Sequence, residues 1–128
     1  MPIYNIYLLH KTFRKNYDMN IEEIRVAYKS GNPLEYKAHC LKRMMERDIS
    51  RKDIEDCILN GELIEDYPLD NDNVSDASYP SCLILWINTN GHPIHVVVGF
   101  NGKTIIIISA YYPDNERWKD DHRTRKER

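Results

Sequence analysis

Two Asn-Gly pairs divide the carboxy-terminal half of the chain into short apolar runs, and this spacing constrains the fold more than any other feature. The runs are rich in β-branched residues and have the length of strands, which predicts strands over 82–88, 94–100 and 104–112. Between them stand Asn90-Gly91 and Asn101-Gly102. Such pairs favour type I′ hairpin turns, in which both central residues need a positive φ. The pattern therefore predicts a three-stranded antiparallel meander.

Helical spacing dominates the chain before these strands. Asn20 and Gly31 bound one predicted helix, and two more are predicted over 36–47 and 51–60 with a tight corner between them. Ser50 and Asp53 have the spacing of a capping box, and Gly61 is a natural helix stop. These signals predict a helical pair whose second member is well capped.

The helix at 36–47 has two sets of periodic residues. Ala38, Leu41 and Met45, with Met44 beside them, predict a stripe that faces the core. His39, Arg43 and Arg47 recur every four residues and would lie roughly opposite that stripe. The second set is either a solvated face or the floor of an anion site.

Helices followed by strands predict an α+β fold, with the helices packed on one face of a three- or four-stranded antiparallel sheet. The fourth strand is an edge strand over 61–67. Residues 3–9 fit either a short strand or a helical turn, and 68–80 has the composition of a polar loop. The tail after Pro113 is expected to be either a terminal helix or disordered.

Length, charge distribution and cysteine content indicate how many domains the chain forms and what kind of ligand it could bind. A chain of 128 residues suits one domain, and its formal charge of −2 hides a segregation of charge. Residues 65–78 carry five acidic side chains and no basic one, whereas the last twelve residues carry six basic and three acidic ones. The three cysteines are far apart, and neither a signal peptide nor a membrane span is recognisable. We therefore expect a reduced, cytoplasmic protein that could meet a polyanion.

Several motifs together resemble a known family. The matching residues are listed here in chain order: His39, Arg43, Met44, Arg47, Ile49, Ser50, Asp53, Gly61, Ile64, Tyr67, Pro68, Pro93, His95, Val96, Val97, Val98, Ile108, Tyr111, Pro113 and Trp118. This pattern is similar to that of the DUF4258 family, small domains related to the RelE- and BrnT-like toxins. The helix that precedes it also makes the helical order similar to MqsR, a ribonuclease toxin.

The resemblance implies a RelE-like domain over 36–118, preceded by an extension over 1–35 with one helix and followed by a basic tail over 119–128. Relatives of this kind include mRNA interferases that an antitoxin holds inactive. The resemblance further implies pairing with a small zinc-finger antitoxin. The residue spacings, separately, offer no convincing metal site, and we expect neither a cofactor nor a metal.

Metal-independent RNA cleavage needs a base for the 2′-hydroxyl, an acid for the leaving oxygen, and cations for the phosphorane. Histidine and arginine supply these functions. The candidate catalytic residues are His39, Arg43, His95 and Tyr111. The candidate RNA-binding residues are Arg47, Lys103, Trp118 and Arg123.

Each assignment has a structural alternative. His39 suits a cap or core edge, Tyr111 suits sheet packing, and Trp118 suits an anchor for the tail. Strand alternation could also direct His95 away from the helices, so that it would not meet His39. Two functions therefore remain, an mRNA endoribonuclease toxin and a non-catalytic module that binds a protein or nucleic acid. Convergence of the polar groups in one cleft favours the first, and dispersal or ion pairing favours the second.

Overall fold

The structure, a computed structural model, describes residues 20–67 and 79–127. The predicted element at 3–9 and nearly all of the predicted loop at 68–80 lie outside these residues. The elements, in chain order, are α1 Ile21–Lys29, β1 Leu34–Tyr36, α2 Ala38–Arg47, α3 Arg51–Asn60, β2 Glu62–Tyr67, β3 Ser81–Ile87, β4 Pro93–Phe100 and β5 Ile105–Tyr111. In the described part of the chain, no helix is both long and apolar enough to cross a bilayer. The α+β class is confirmed.

The strands form one five-stranded sheet in the order β1-β5-β4-β3-β2. β3, β4 and β5 form the predicted antiparallel meander, and β2 is the predicted edge strand on β3. The predicted strand number and the predicted all-antiparallel pairing are wrong, because β1 adds a fifth strand that runs parallel to β5. The segment between Pro33 and Lys37 has only three residues, which is too few to give a recognisable strand pattern. The predicted helix over 36–47 also includes Tyr36, which belongs to β1.

The Asn-Gly positions form the hairpin turns, but the predicted type I′ geometry is wrong. At these pairs only the glycines have a positive φ, 80° at Gly91 and 95° at Gly102. Asparagine side chains organise the turns instead. Asn88 Oδ1 accepts hydrogen bonds from two backbone N–H groups of the first turn, and Asn101 Oδ1 accepts from two in the second. These local bonds replace the left-handed conformation that asparagine would otherwise adopt.

The helix boundaries follow the predicted capping signals. Asn20 accepts a hydrogen bond from the Glu22 amide, and Ser50 and Asp53 make both bonds of the capping box. Gly61 ends α3 where its backbone approaches β3 closely. A Cβ atom at this position would lie 2.5 Å from both the Cys57 carbonyl oxygen and Ile84 Cγ2. Glycine is therefore required at this corner by the space available.

The buried face of α2 differs from the predicted stripe. Cys40 and Met44 are buried, whereas Ala38 is exposed and Met45 is 85% exposed. Of the predicted stripe, Met44 is buried as expected and Leu41 packs partly against the core. The predicted stripe omits Cys40, a small buried residue one turn before Met44. Cys40 and Met44 together define the face of α2 that packs toward β5. Arg47, one turn after Met44, consequently lies at the edge of the buried face.

The sheet is covered on both faces. On one face the three helices bury a continuous core with alternate residues of the strands, including Ile94, Val96 and Val98 of β4. On the other face a smaller group is buried, comprising Leu83, Leu85, His95, Ile106 and Trp118. Trp118 belongs to residues 113–127, called here the C-terminal segment. This segment is ordered without forming a helix, and a β-bridge joins Trp118 to Arg125, so the tail is neither a helix nor disordered.

Candidate functional site: an arginine cleft beside a buried histidine

His95 lies on the sheet face opposite the helices and is completely buried. Its Nε2 is 2.6 Å from the carbonyl oxygen of His122, and its Nδ1 is 3.3 Å from the hydroxyl of Tyr111. A carbonyl oxygen only accepts hydrogen bonds, so Nε2 carries the proton. Nδ1 of the neutral ring then accepts from the Tyr111 hydroxyl. The imidazole has both nitrogens engaged, one by the C-terminal segment and one by β5.

Burial lowers the pKa of His95 because an enclosed site disfavours the imidazolium cation. The bond to the His122 carbonyl and the Glu65 carboxylate oppose this effect, and the charges of His122 and Arg125 add to it. Burial also raises the pKa of Tyr111. Near neutral pH the pair is therefore a neutral imidazole and a protonated phenol.

Aromatic and ionic contacts hold the C-terminal segment on the sheet. Trp118 is 2% exposed, and its ring meets that of His95 edge-on at a centroid distance of 4.4 Å. The Arg125 guanidinium lies 4.5 Å from the Trp118 ring centroid and makes two hydrogen bonds to Glu65. Arg123 makes two hydrogen bonds to Glu62. Two of the predicted RNA-binding residues, Trp118 and Arg123, thus have internal partners, and Trp118 anchors the segment.

A cleft of about 480 Å³ opens beside the His95–Tyr111 pair. Its lining residues are Arg47, Ser109, Tyr111, Tyr112, Asp114, Arg117, Trp118 and Arg125. We call it the arginine cleft. It follows the outer edge of β5, where β1 pairs only with residues 105–107, so in the described chain the rest of β5 has no strand partner on that side. Arg47 reaches this edge from the end of α2 and donates to the Ala110 carbonyl oxygen over 2.8 Å.

The three arginines of the cleft differ in how far their charges are compensated. Arg125 is bound to Glu65 at 2.6 Å, and this contact lowers the pKa of the Glu65 carboxyl. Arg117 lies 3.9 Å from the Asp114 carboxylate, a looser pair. Within the described residues Arg47 pairs with no carboxylate, and its guanidinium contact is the neutral Ala110 carbonyl. The cleft therefore carries positive charge, centred on Arg47.

The structure brings together only part of the predicted site. Arg47, Tyr111 and Trp118 line the cleft, and the buried His95 lies behind Tyr111. His39 and Arg43 are exposed on α2, across the sheet from His95. Arg43 is paired with Glu46. The two imidazoles do not converge, because strand alternation directs His95 away from the helices.

Lys103 lies at the far end of the meander from the cleft. It is exposed in the turn between β4 and β5, whereas Tyr111 pairs with His95 at the opposite end of the same hairpin. Six residues of extended chain separate the two levels of the hairpin by about 20 Å. Lys103 is therefore outside the cleft.

The complete burial of His95 also changes what its replacement is expected to do. Because this side chain bonds two elements within a closed face, we expect His95→Ala to destabilise the fold as well as to remove the imidazole. Removing the ring would leave the His122 carbonyl and the Tyr111 hydroxyl without their imidazole partner.

Sequence reasoning missed five residues of the cleft, namely Ser109, Tyr112, Asp114, Arg117 and Arg125. The signal available is the cluster of six basic side chains in the last twelve residues, but the sequence predicts only a terminal helix or a disordered tail there. Alternation along β5 indicates only the face of Ser109. What the sequence lacks is a local pattern that would fold the C-terminal segment back onto the sheet.

Across residues 20–67 and 79–127, no three His, Cys, Asp or Glu side chains are grouped so that they could hold an ion. The described cysteines Cys40, Cys57 and Cys82 are buried free thiols. What the cleft offers chemically is cationic hydrogen-bond donors and a tyrosine hydroxyl bonded to a histidine.

Comparison with known proteins gives a family but no characterised relative. No curated protein and no solved structure matches the chain. Residues 36–112 match the DUF4258 family, a domain of unknown function. The match contains Arg47, Ser109, Tyr111 and Tyr112 and ends before Arg117, Trp118 and Arg125, so the C-terminal segment completes the cleft from outside the matched domain. Since the match spans more than half of its length, the chain belongs to the DUF4258 family.

Proposed function

We propose that this protein binds single-stranded RNA and holds a backbone phosphate in the arginine cleft. The observation that carries the proposal is the convergence of Arg47, Arg117 and Arg125 with Tyr111 on one cavity of about 480 Å³. A guanidinium suits this task because its planar fork can donate two hydrogen bonds to one phosphate.

Arg47 is the principal phosphate ligand in this proposal. A guanidinium has five N–H donors, and the described contacts of Arg47 use only one nitrogen, Nη1, on the Ala110 carbonyl. That contact fixes the direction of the side chain along the edge of β5, so less entropy is lost when a phosphate binds. Arg117 adds a second donor group once its loose pair with Asp114 opens.

An aromatic side chain at the cleft favours a single strand over a duplex. Tyr112 lines the cleft and is 36% exposed, with its hydroxyl donating to the carbonyl oxygen of Arg47. A tyrosine held in this way can stack on an unpaired base, whereas bases in a duplex are already stacked on one another. The combination of cation and aromatic ring is common to proteins that bind single strands.

The test is the affinity of a fluorescent single-stranded RNA, measured by anisotropy at two salt concentrations. Arg47→Ala should weaken binding about tenfold and reduce the salt dependence by about one released counterion. Arg43→Ala is the matched control, because it removes the same charge one turn earlier on α2, outside the cleft. Equal losses in the two variants would indicate the exposed helix face, and no RNA binding at low salt would refute the proposal.

Endoribonuclease activity is the second candidate, and the Tyr111–His95 contact favours it. Burial raises the pKa of Tyr111, which opposes a free phenolate. A relay avoids this state if Tyr111 accepts the 2′-hydroxyl proton as its own proton moves to His95 Nδ1. The 2′-oxygen attacks the phosphorus while Arg47 and Arg117 stabilise the phosphorane. The proton then returns through Tyr111 to the leaving 5′-oxygen, and the products are a 2′,3′-cyclic phosphate and a 5′-hydroxyl.

Cleavage is tested separately from binding. If the relay operates, purified protein should release cyclic-phosphate ends without added metal, and Tyr111→Phe should slow this by about 10²- to 10⁴-fold. A protein that binds RNA and leaves it intact would retain the first function and lose the second. In this scheme His39 and Arg43, remote from the cleft, have no catalytic role.

The resemblance to RelE-, BrnT- and MqsR-like toxins extends the proposal to a biological setting. In that setting the protein acts on mRNA in the cytoplasm, and a small zinc-finger antitoxin neutralises it by covering the arginine cleft. Expression of the protein alone should then arrest growth, and co-expression of the antitoxin should restore it. Growth that continues without an antitoxin would argue against a toxin.

A further inference from the structure

We propose that anion binding in the arginine cleft is coupled to proton uptake by His95, through reorientation of the Tyr111 hydroxyl. The inference rests on the proposed RNA binding, since the anion is a nucleic-acid phosphate. It is an alternative to the cleavage relay, because an Nδ1 that is protonated on binding cannot accept the Tyr111 proton. His95 does not touch this phosphate and acts as a positioning residue. What the coupling regulates is the affinity of the cleft for its ligand.

The resting arrangement presents the wrong side of Tyr111 to an anion. The single hydroxyl proton points toward His95 Nδ1, because Nε2 already carries the proton of the neutral ring. Toward the cleft the phenol oxygen then offers lone pairs, which repel a phosphate oxygen. At 3.3 Å the bond to Nδ1 is long, so little is lost when the hydroxyl turns away from it.

Protonation reverses the direction of this bond without disturbing the other. When solvent supplies a proton to Nδ1, the imidazolium donates to the Tyr111 oxygen, and the hydroxyl proton is free to point into the cleft. The Nε2–H bond to the His122 carbonyl is retained. The other neutral tautomer does not achieve this, because it would set an unprotonated Nε2 against a carbonyl oxygen at 2.6 Å. One proton is taken up, and no covalent bond between heavy atoms changes.

The charged groups around His95 define the pH range of the effect. Glu65 on β2 favours the imidazolium, whereas Arg125 and His122 on the C-terminal segment oppose it. Tyr111 on β5 is itself influenced by Arg117 and Asp114. On β3 the residue paired with His95 is the apolar Leu85. Burial keeps the pKa of the free state below its usual value, so a bound phosphate would draw a proton as the pH falls below neutrality.

The first experiment measures affinity against pH with a probe that neither titrates nor is cleaved. A short 2′-O-methyl oligouridylate with hydroxyl ends meets both needs. If binding raises the pKa of His95 by one unit, affinity should increase about tenfold between pH 8 and the acidic plateau. Tyr111→Phe should remove this pH dependence, because phenylalanine has no hydroxyl to turn.

Tyr112→Phe is the matched control, since its hydroxyl belongs to the same cleft but is bonded to the Arg47 carbonyl and not to a histidine. This variant should keep the pH dependence of the wild type. The second experiment follows the imidazole Cε1–H signal of His95 in wild-type protein by NMR. Its pKa should rise when the oligonucleotide is added.

The outcomes separate the two proposals. Binding with the same pH dependence in wild type and Tyr111→Phe, or a pKa of His95 that does not rise on binding, overturns the coupling and leaves RNA binding standing. Absence of binding at every pH overturns both. The NMR titration uses the unmodified chain, so the coupling can be refuted even if Tyr111→Phe fails to fold.

Discussion

Replacing His95 by alanine should destabilise the sheet face that carries the C-terminal segment. A loss of activity in this variant would therefore not by itself show a catalytic role. The ring joins β4 to β5 through Tyr111 and to the C-terminal segment through His122. It also meets Trp118 edge-on at 4.4 Å. Alanine would remove all three contacts and leave a cavity beneath the segment.

The cost follows from these contacts. Orphaning the His122 carbonyl, the shorter of the two bonds, costs about 1–3 kcal/mol, and the Tyr111 hydroxyl adds less because it can turn toward the cleft. Loss of the aromatic contacts adds about 0.5–1.5 kcal/mol, and the cavity adds more. The total of about 3–5 kcal/mol corresponds to a fall in melting temperature of about 12–20 °C for a chain of this size.

Thermal unfolding followed by circular dichroism measures this difference. His39→Ala is the matched control, because it makes the same substitution at an exposed position of α2 and should change stability by no more than about 0.5 kcal/mol. If His95→Ala melts at the temperature of His39→Ala, the buried bonds inferred for His95 contribute nothing and the reasoning fails.

Three further results are expected. Gly61→Ala should destabilise the protein by about 1–3 kcal/mol, because its Cβ would meet two backbone carbonyls and an Ile84 methyl, and a melting temperature equal to wild type would contradict this. Ser50→Ala should cost about 1 kcal/mol in urea titrations through loss of the capping box, and an unchanged midpoint would contradict it. The pKa of His95 is lower in the folded than in the unfolded chain, so its contribution is complete above the unfolded pKa of about 6.5 and is lost as pH falls toward the folded pKa. His95→Gln should flatten the dependence of the unfolding free energy on pH just below about pH 6.5. The contribution of Glu65, whose folded pKa is lowered, declines only below about pH 4. Equal slopes for wild type and His95→Gln would contradict the assignment to His95.

Local signals predicted the elements of the fold well. The three strands of the meander, the edge strand and the capped helices all arise from patterns within a few residues, such as the capping box at Ser50. The strand β1 was not predicted, because three residues are too few to show an alternation of apolar and polar side chains. Its parallel pairing with β5 also depends on a contact between residues 34–36 and 105–107, which are about seventy positions apart.

The site was harder to predict because it depends on which face each element buries. Met45 was expected in the core and is exposed, and the four-residue spacing alone groups Arg47 with His39 and Arg43. In the fold Arg47 reaches β5, whereas the other two are exposed on the helix. The predicted polar groups therefore divide. Arg47 and Tyr111 converge on the cleft, whereas His39 and Arg43 are dispersed on the exposed face of α2.

The C-terminal segment is the largest departure from the sequence interpretation. Its polar composition resembles that of a disordered tail, yet Trp118 and two arginine–glutamate pairs hold it on the sheet. Each exposed ion pair is worth little on its own, so the buried indole supplies most of the anchoring. One tryptophan in a charged stretch therefore indicates a docked segment.

NMR mapping of RNA binding tests the central claim most directly, because it reports where the ligand lies on the folded protein. Titration of a short 2′-O-methyl oligouridylate into isotope-labelled protein should shift the amide signals of Ser109, Tyr111 and Arg117, together with the side-chain signal of Arg47. The amides of His39 and Lys103 should remain unchanged. Shifts confined to the exposed face of α2 or to the turn at Lys103, with the arginine cleft unaffected, would contradict the account.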